Sequence, residues 1–74
     1  MGGKQRPRAG FLDRMTKVRG RPRWRSPDGM AFYEWDSLHG EVEWYDRCGY
    51  HAGVLDAVTG EQIKPAVRGR KINV

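Results

Sequence analysis

The stretch Tyr33 to Tyr45, Y-E-W-D-S-L-H-G-E-V-E-W-Y, limits the possible folds more than any other part of the chain. Apolar and polar residues alternate on both sides of a short polar link, Ser37-Leu38-His39-Gly40. Successive side chains of a strand point to opposite faces, so this alternation predicts two strands with one apolar face each. Tyr33 and Trp35 share a face, and Glu34 and Asp36 the other; Val42 and Trp44 share a face, and Glu41, Glu43 and Tyr45 the other. Paired as a hairpin, the aromatic faces merge into a core. The opposite surface then gathers Glu34, Asp36, Glu41 and Glu43, with His39 at the bend. Like charges this dense lower sheet stability. Such a cost is most readily accepted where a cation or a reaction needs the carboxylates.

At 74 residues the chain is one small domain with a modest core. Its single cysteine, Cys48, excludes an internal disulfide. Cys48, His39 and His51 do not form a zinc-type cluster, and no metal or cofactor is expected. The core must come from Trp24, Phe32, Tyr33, Trp35, Val42, Trp44 and later aliphatics. No apolar run reaches membrane-span length, so no membrane contact is expected.

The distribution of charge says more than its sum of +5. Residues 1–29 carry +7, residues 30–60 carry −5, and residues 61–74 carry +3. Basic ends favour a polyanion, most simply nucleic acid. The acidic middle argues against passive coating of phosphates.

Taken in order, Met1 to Gly10 is Gly-, Pro- and Arg-rich and should be disordered when free. Phe11, Leu12, Met15 and Val18 have helical spacing, which predicts one short helix closed by Gly20 and Pro22. Residues 1–20 therefore read as a basic arm, and residues 21–74 as a β domain. Arg21 to Ser26 reads as an edge strand in which Trp24 faces the core and the arginines face away. Ser26-Pro27-Asp28-Gly29 is a turn, followed by strands at Met30–Asp36 and Glu41–Arg47. Tyr50 to Asp56 is a further strand, with Gly53 marking a bulge or a close-packing point. After a turn to Gly60 come a short strand, Glu61–Lys64, and a basic tail from Val67. Turn signals at hairpin spacing predict a mainly β fold: a small, strongly twisted antiparallel meander with at most one short N-terminal helix.

The polar face suits RNA cleavage by the ribose 2′-hydroxyl. That reaction needs a base, an acid and a cation within hydrogen-bond reach. Glu43 or Glu41 can supply the base, His39 the acid, and Asp36 can orient His39. The cation is one of several arginines, Arg70 among them. Alternating acidic residues also serve simply to keep a sheet surface soluble, and a turn histidine is often only solvated. His51 lies in a strand whose polar face is undetermined and receives no role. Arg21, Arg23, Arg25, Lys64, Arg68 and Lys71 are candidate RNA contacts, chiefly to phosphate.

Residues Tyr33 to Glu43 resemble the pattern Y-E-W-D-x-x-H-G-E-h-E, with h apolar, of the cytotoxic ribonuclease domain of the ribosome-cleaving colicins and cloacin. Every fixed position is met. Gly49 to Gly60 is similar to that family's G-x-H-x-G-x-h-D-x-x-T-G, through His51, Gly53, Asp56, Thr59 and Gly60. Arg23-Trp24 before a Gly turn extends the likeness, which runs from about Arg21 to Ile72. The resemblance implies a small twisted antiparallel sheet and a metal-independent endonucleolytic cut of small-subunit ribosomal RNA at the decoding centre. It places Asp36, His39 and Glu43 in the acid–base group, Glu41 as a supporting carboxylate, and Arg70 as the catalytic arginine, with Arg68 as its substitute. Strict alternation puts Arg70 and Ile72 on one face, so a twist or bulge is required there.

The resemblance further implies the ribosome small subunit as target and an acidic immunity protein as inhibitor. It suggests a monomer acting in the cytoplasm of a target cell, secreted or delivered as part of a larger toxin. Two other readings stay open: a non-catalytic RNA- or ribosome-binding module of the same fold, and a host-takeover nucleic-acid-binding protein that uses only its basic arm.

Overall fold

The computed structural model describes residues 3–74. The chain folds as one six-stranded antiparallel sheet in strict sequence order. Its strands are β1 (Thr16–Lys17), β2 (Arg23–Arg25), β3 (Ala31–Asp36), β4 (Glu41–Asp46), β5 (His51–Leu55) and β6 (Gln62–Pro65). The mainly β meander expected from the turn spacing is the observed fold.

The central hairpin has the register that alternation demands. Tyr33 pairs with Trp44 and Trp35 with Val42 on one face; Glu34 pairs with Glu43 and Asp36 with Glu41 on the other. Tyr33 and Val42 join Leu12, Trp24, Leu55 and Ala57 in the buried core, with Phe11, Met15, Trp35 and Trp44 packed against it. Removing these side chains from water is the main favourable term in so short a chain.

The helix predicted from Phe11, Leu12, Met15 and Val18 does not form. A single 3-10 turn covers Phe11–Arg14, and Met15 is already extended. One turn suffices to drop Leu12 onto the open face of the sheet and to set Phe11 edge-on to Tyr33, with ring centroids 5.0 Å apart. Thr16 and Lys17 then pair with Arg25 and Trp24. Ladder pairing and core cover override a spacing that only a longer helix would need. Residues 11–17 thus belong to the sheet and its core rather than to an arm.

Composition predicts disorder for Met1 to Gly10. Met1 and Gly2 lie outside the described residues. Beyond them the segment is tied down: Lys4 N–H donates to Ser37 O at 2.6 Å, and Phe11 N–H to Ala57 O at 2.9 Å. Trp35 Nε1 donates to Lys4 O at 3.1 Å, and the Arg6 guanidinium lies 4.9 Å from the centre of the Trp24 ring.

Three hairpin turns share one device. Asp36, Asp46 and Asp56 each accept from backbone N–H groups two or more residues ahead. The turns close on Gly40, Gly49 and Gly60, all at positive φ, where a glycine avoids the Cβ clash.

Candidate active site

Four strands and the C-terminal tail converge on the acidic face. They enclose an open cleft of about 550 Å³ lined by Asp36, His39, Glu41, Glu43, His51, Lys64 and Arg70, with Leu38, Val54 and Pro65 to Val67 as its apolar wall. That volume lies within the usual range for a ligand site.

The β3–β4 turn supplies the first pair. Asp36 Oδ1 accepts the N–H of Leu38 at 3.0 Å and of His39 at 3.2 Å. Its other oxygen, Oδ2, lies 2.8 Å from His39 Nδ1. An ionised carboxylate only accepts, so Nδ1 carries a proton and Nε2 faces outward on an exposed ring. Burial opposes ionisation of Asp36, but the hydrogen bonds from the His39 ring and backbone, the His39 charge and the Leu38 N–H outweigh it. The carboxyl is held below its ordinary value.

The second group centres on a buried Glu43–His51 pair. Glu43 Oε1 lies 2.8 Å from His51 Nε2 and 3.3 Å from Arg70 Nη1. The His51 side chain is fully shielded and that of Glu43 is 10 % exposed. His51 Nδ1 accepts the N–H of Val67 at 2.8 Å. A backbone N–H can only donate, so the proton of the neutral ring sits on Nε2 and is given to Glu43. No buried side-chain oxygen among the described residues lacks a partner. Glu43 Oε2, which has no hydrogen bond, therefore opens to the cleft. A hydrogen bond from His51 and an ion pair with Arg70, both at Oε1, hold the carboxylate while leaving its second oxygen available.

Tyr45 packs beside His51 and Arg70. It is almost fully buried, stands edge-on to His51 at 5.3 Å, and has the Arg70 guanidinium 6.0 Å from its ring centre. Burial raises its pKa; Glu34 and Glu43 push the same way and Arg70 opposes. The phenol stays neutral at physiological pH. Glu41 bonds Lys64 at 2.9 Å, and this contact is the largest cause of the raised Lys64 pKa.

Asp36, His39, Glu41, Glu43 and Arg70 thus meet in one cleft, as expected. Of the two tail arginines considered, Arg70 reaches Glu43, while Arg68 makes no ion pair among the described residues. Arg70 follows Gly69, which has positive φ. It enters from a turn, so strand alternation does not set its direction. The tail then runs beside the start of β5: His51 N–H donates to Arg70 O and Ile72 N–H to Gly49 O, both at 2.9 Å.

Arg23, expected among the RNA contacts, is placed differently. It is buried, bonded twice to Glu34 at 3.1 Å and once to the carbonyl of Asn73. Its charge sits beside Glu34, and each of its three nitrogens makes one hydrogen bond inside the fold. Arg21 and Arg25 remain exposed nearby. Lys64 lies in the cleft, Lys71 sits 5.0 Å from the Tyr50 ring centre, and Arg68 is exposed.

His51 is the residue that sequence reasoning left without a role. Simple alternation places it with Gly53 and Leu55 on the core face. The register shifts between Trp44 and Tyr45, so that Trp44 faces Gly53 and Tyr45 faces His51. This bulge turns His51 onto the cleft. Gly53 was the signal: a Cβ there would press on Gln62 and on the carbonyl of Lys64, and glycine inside a strand marks such irregularities. Carrying the bulge through the parity count would have put His51 beside Glu43.

Asp36, His39 and Glu41 offer ligand atoms that all lie within 4.8 Å of one another, a spacing a cation could use. Those atoms already have partners, His39 on Asp36 and the Lys64 ammonium on Glu41.

An exposed His39–Asp36 pair and a buried Glu43–His51 pair, with the half-exposed Arg70 against Glu43, line one cleft, an arrangement that can support acid–base chemistry. A family model described as Cytotoxic matches residues 2–73, and the chain belongs to that family. It is 49% identical over 45 residues to colicin E3 of Escherichia coli, a match covering 60% of this chain and 8% of that protein. Colicin-E6 and cloacin, also from Escherichia coli, are each 47% identical over 45 residues, with the same coverage. The match thus spans less than a tenth of the length of these curated relatives.

Proposed function

We propose that the protein is a cytotoxic endoribonuclease that cuts small-subunit ribosomal RNA at the decoding centre without a metal ion and so stops translation. The observation that carries this reading is the division of labour around Glu43 and His39. One carboxylate is fixed through Oε1 with Oε2 open. One imidazole is fixed through Nδ1 with Nε2 outward.

Glu43 takes the proton of a ribose 2′-hydroxyl, and the resulting oxygen attacks the adjacent phosphorus. Arg70, 3.3 Å from the base, faces the charge that builds on the phosphorane. Protonated His39 gives its Nε2 proton to the departing 5′-oxygen. The products are a 2′,3′-cyclic phosphate and a 5′-hydroxyl. Glu43 is left protonated and His39 neutral, and exchange with water resets both. Asp36 stabilises the charged imidazole, and Glu41 with Lys64 supports the same surface.

Exposed Arg21, Arg25, Arg68 and Lys71 fit phosphate contacts outside the cleft. The net charge of +5 suits an acidic immunity protein as inhibitor, drawn in by electrostatic steering. Action in the cytoplasm of a target cell, after delivery within a larger toxin, accords with the colicin and cloacin relatives.

The test is incubation with intact ribosomes and mapping of the small-subunit RNA ends. A discrete fragment is expected, also in the presence of EDTA, and it should vanish with Glu43→Gln and with His39→Ala. A fragment undiminished in both variants refutes the assignment. Ribosome binding without any cut would instead favour a non-catalytic module of the same fold.

A further inference from the structure

The acid–base group accounts for the polar part of the cleft but not for its apolar part. Leu38, at the tip of the β3–β4 turn, is 75 % exposed and lies next to His39. Val67, beside the backbone N–H that fixes His51, is 52 % exposed. With Val54 and Pro65 they line the same cleft as the carboxylates. A turn tip ordinarily takes a polar residue, and the equivalent position of the β5–β6 turn, Val58, lines no cleft among those described. The apolar side chains beside the site are thus placed at its two ends, one by the imidazole and one by the Glu43–His51–Arg70 group.

Resting on the ribonuclease reading above, we infer that Leu38 is a seat for the nucleobase on the 3′ side of the scissile phosphate, and that Val67 with Pro65 receives the base on the 5′ side. The direction follows from the chemistry. His39 protonates the 5′-oxygen of the leaving nucleotide, so the residue adjoining His39 meets that nucleotide. Glu43 deprotonates the 2′-hydroxyl of the preceding nucleotide, so the wall behind Glu43 and His51 meets its base. A base lies within one sugar's breadth of its own phosphate, and Leu38 adjoins His39 in the chain and lines the same cleft. Occupation by a base requires an unpaired strand, because a base within a duplex has both faces covered by its neighbours. The contacts are aliphatic and carry no hydrogen-bond readout. The seats therefore select unstacked single-stranded RNA rather than a particular base.

The experiment uses the unaltered chain and a dinucleotide, adenylyl-adenosine with a 2′-O-methyl on its first ribose, which binds without reacting. A second probe lacks the 3′ base and a third lacks the 5′ base. Affinities are read by NMR titration for wild type, Leu38→Ser and Val67→Ser. Leu38→Ser should weaken the intact dinucleotide about fivefold, the scale of losing half the burial of one leucine. It should have no further effect on the probe lacking the 3′ base, while retaining its full effect on the probe lacking the 5′ base. Val67→Ser should show the opposite pairing. Additive losses, coupling of Leu38 to the 5′ base, or no measurable binding of the intact dinucleotide each overturn the proposal. Ribosome cleavage by the wild type, measured alongside, separates this failure from that of the ribonuclease reading. A cut with additive losses discards only the seats, and no cut discards the enzyme.

Discussion

The turns Asp36–Gly40 and Asp56–Gly60 are built alike and do different things. In each, an aspartate Oδ1 accepts from the two N–H groups that follow the next residue: Leu38 and His39 in one, Val58 and Thr59 in the other. In each, the closing glycine N–H donates to the aspartate carbonyl, at 2.8 Å for Gly40 and 2.9 Å for Gly60. Both carboxyls sit below their ordinary value, Asp56 chiefly through the N–H groups of Thr59 and Val58. The difference lies in the fourth residue. His39 returns its ring to Asp36 Oδ2 at 2.8 Å and opens Nε2 to the cleft. Thr59 instead accepts from Glu61 N–H at 3.1 Å and completes the turn. One local scaffold therefore serves either to hold an imidazole at a cleft or for plain chain reversal. What decides is one side chain and the surface the turn overlooks.

The strongest break in this comparison is His39→Thr, which makes the first turn like the second. It should lower ribosome cleavage about 10³-fold, the scale of losing a general acid, with the fold unchanged by circular dichroism. The reciprocal Thr59→His added to it should restore nothing, since no Glu43–Arg70 group faces that turn. Next comes Asp36→Asn against Asp56→Asn. The first should cut the rate about 10²-fold by loosening the imidazole and its charge; the second should leave the rate within about twofold, as expected away from reacting groups.

The closing glycines separate the turns by stability. Alanine is strained at either, but the Cβ at Gly40 meets only the flexible Lys4 side chain at 2.7 Å, whereas at Gly60 it meets the Phe11 ring of the core. Gly60→Ala should cost about 2–3 kcal/mol in urea unfolding and Gly40→Ala about 1 kcal/mol.

The smallest effect is electrostatic. A carboxylate with a lowered folded-state pKa adds stability that is complete above the unfolded value near about 4 and is lost as pH falls through the folded value. Both turns should therefore weaken only in acid. In His39→Ala, the Asp36 titration followed by NMR should move up towards the ordinary value, and that of Asp56 should stay where it is. Equal movement of both would show that the imidazole is not what distinguishes the first turn.

The central hairpin was legible because period-two patterning is local and its register puts Tyr33 on Trp44 and Glu34 on Glu43. Asp36, His39, Glu41 and Glu43 could be grouped for the same reason: they sit on paired strands and the turn that joins them. The short N-terminal helix was misread because its spacing served core cover, which one 3-10 turn supplies. The enclosure of Arg23 was not legible because alternation gives the face of a side chain but not whether Glu34 and the Asn73 carbonyl will enclose it.

Sequence by itself determined the meander, its apolar face and the acidic hairpin, since each depends on neighbours a few residues apart. Only the tertiary structure decided that His51 holds Glu43, that Arg70 rather than Arg68 reaches Glu43, and that Val67 N–H sets the His51 tautomer. Those contacts turn on a bulge in β5 beside Gly53 and on a tail folded back along β5. A one-residue slip in a strand exchanges its two faces, and no alternating pattern records where that slip occurs.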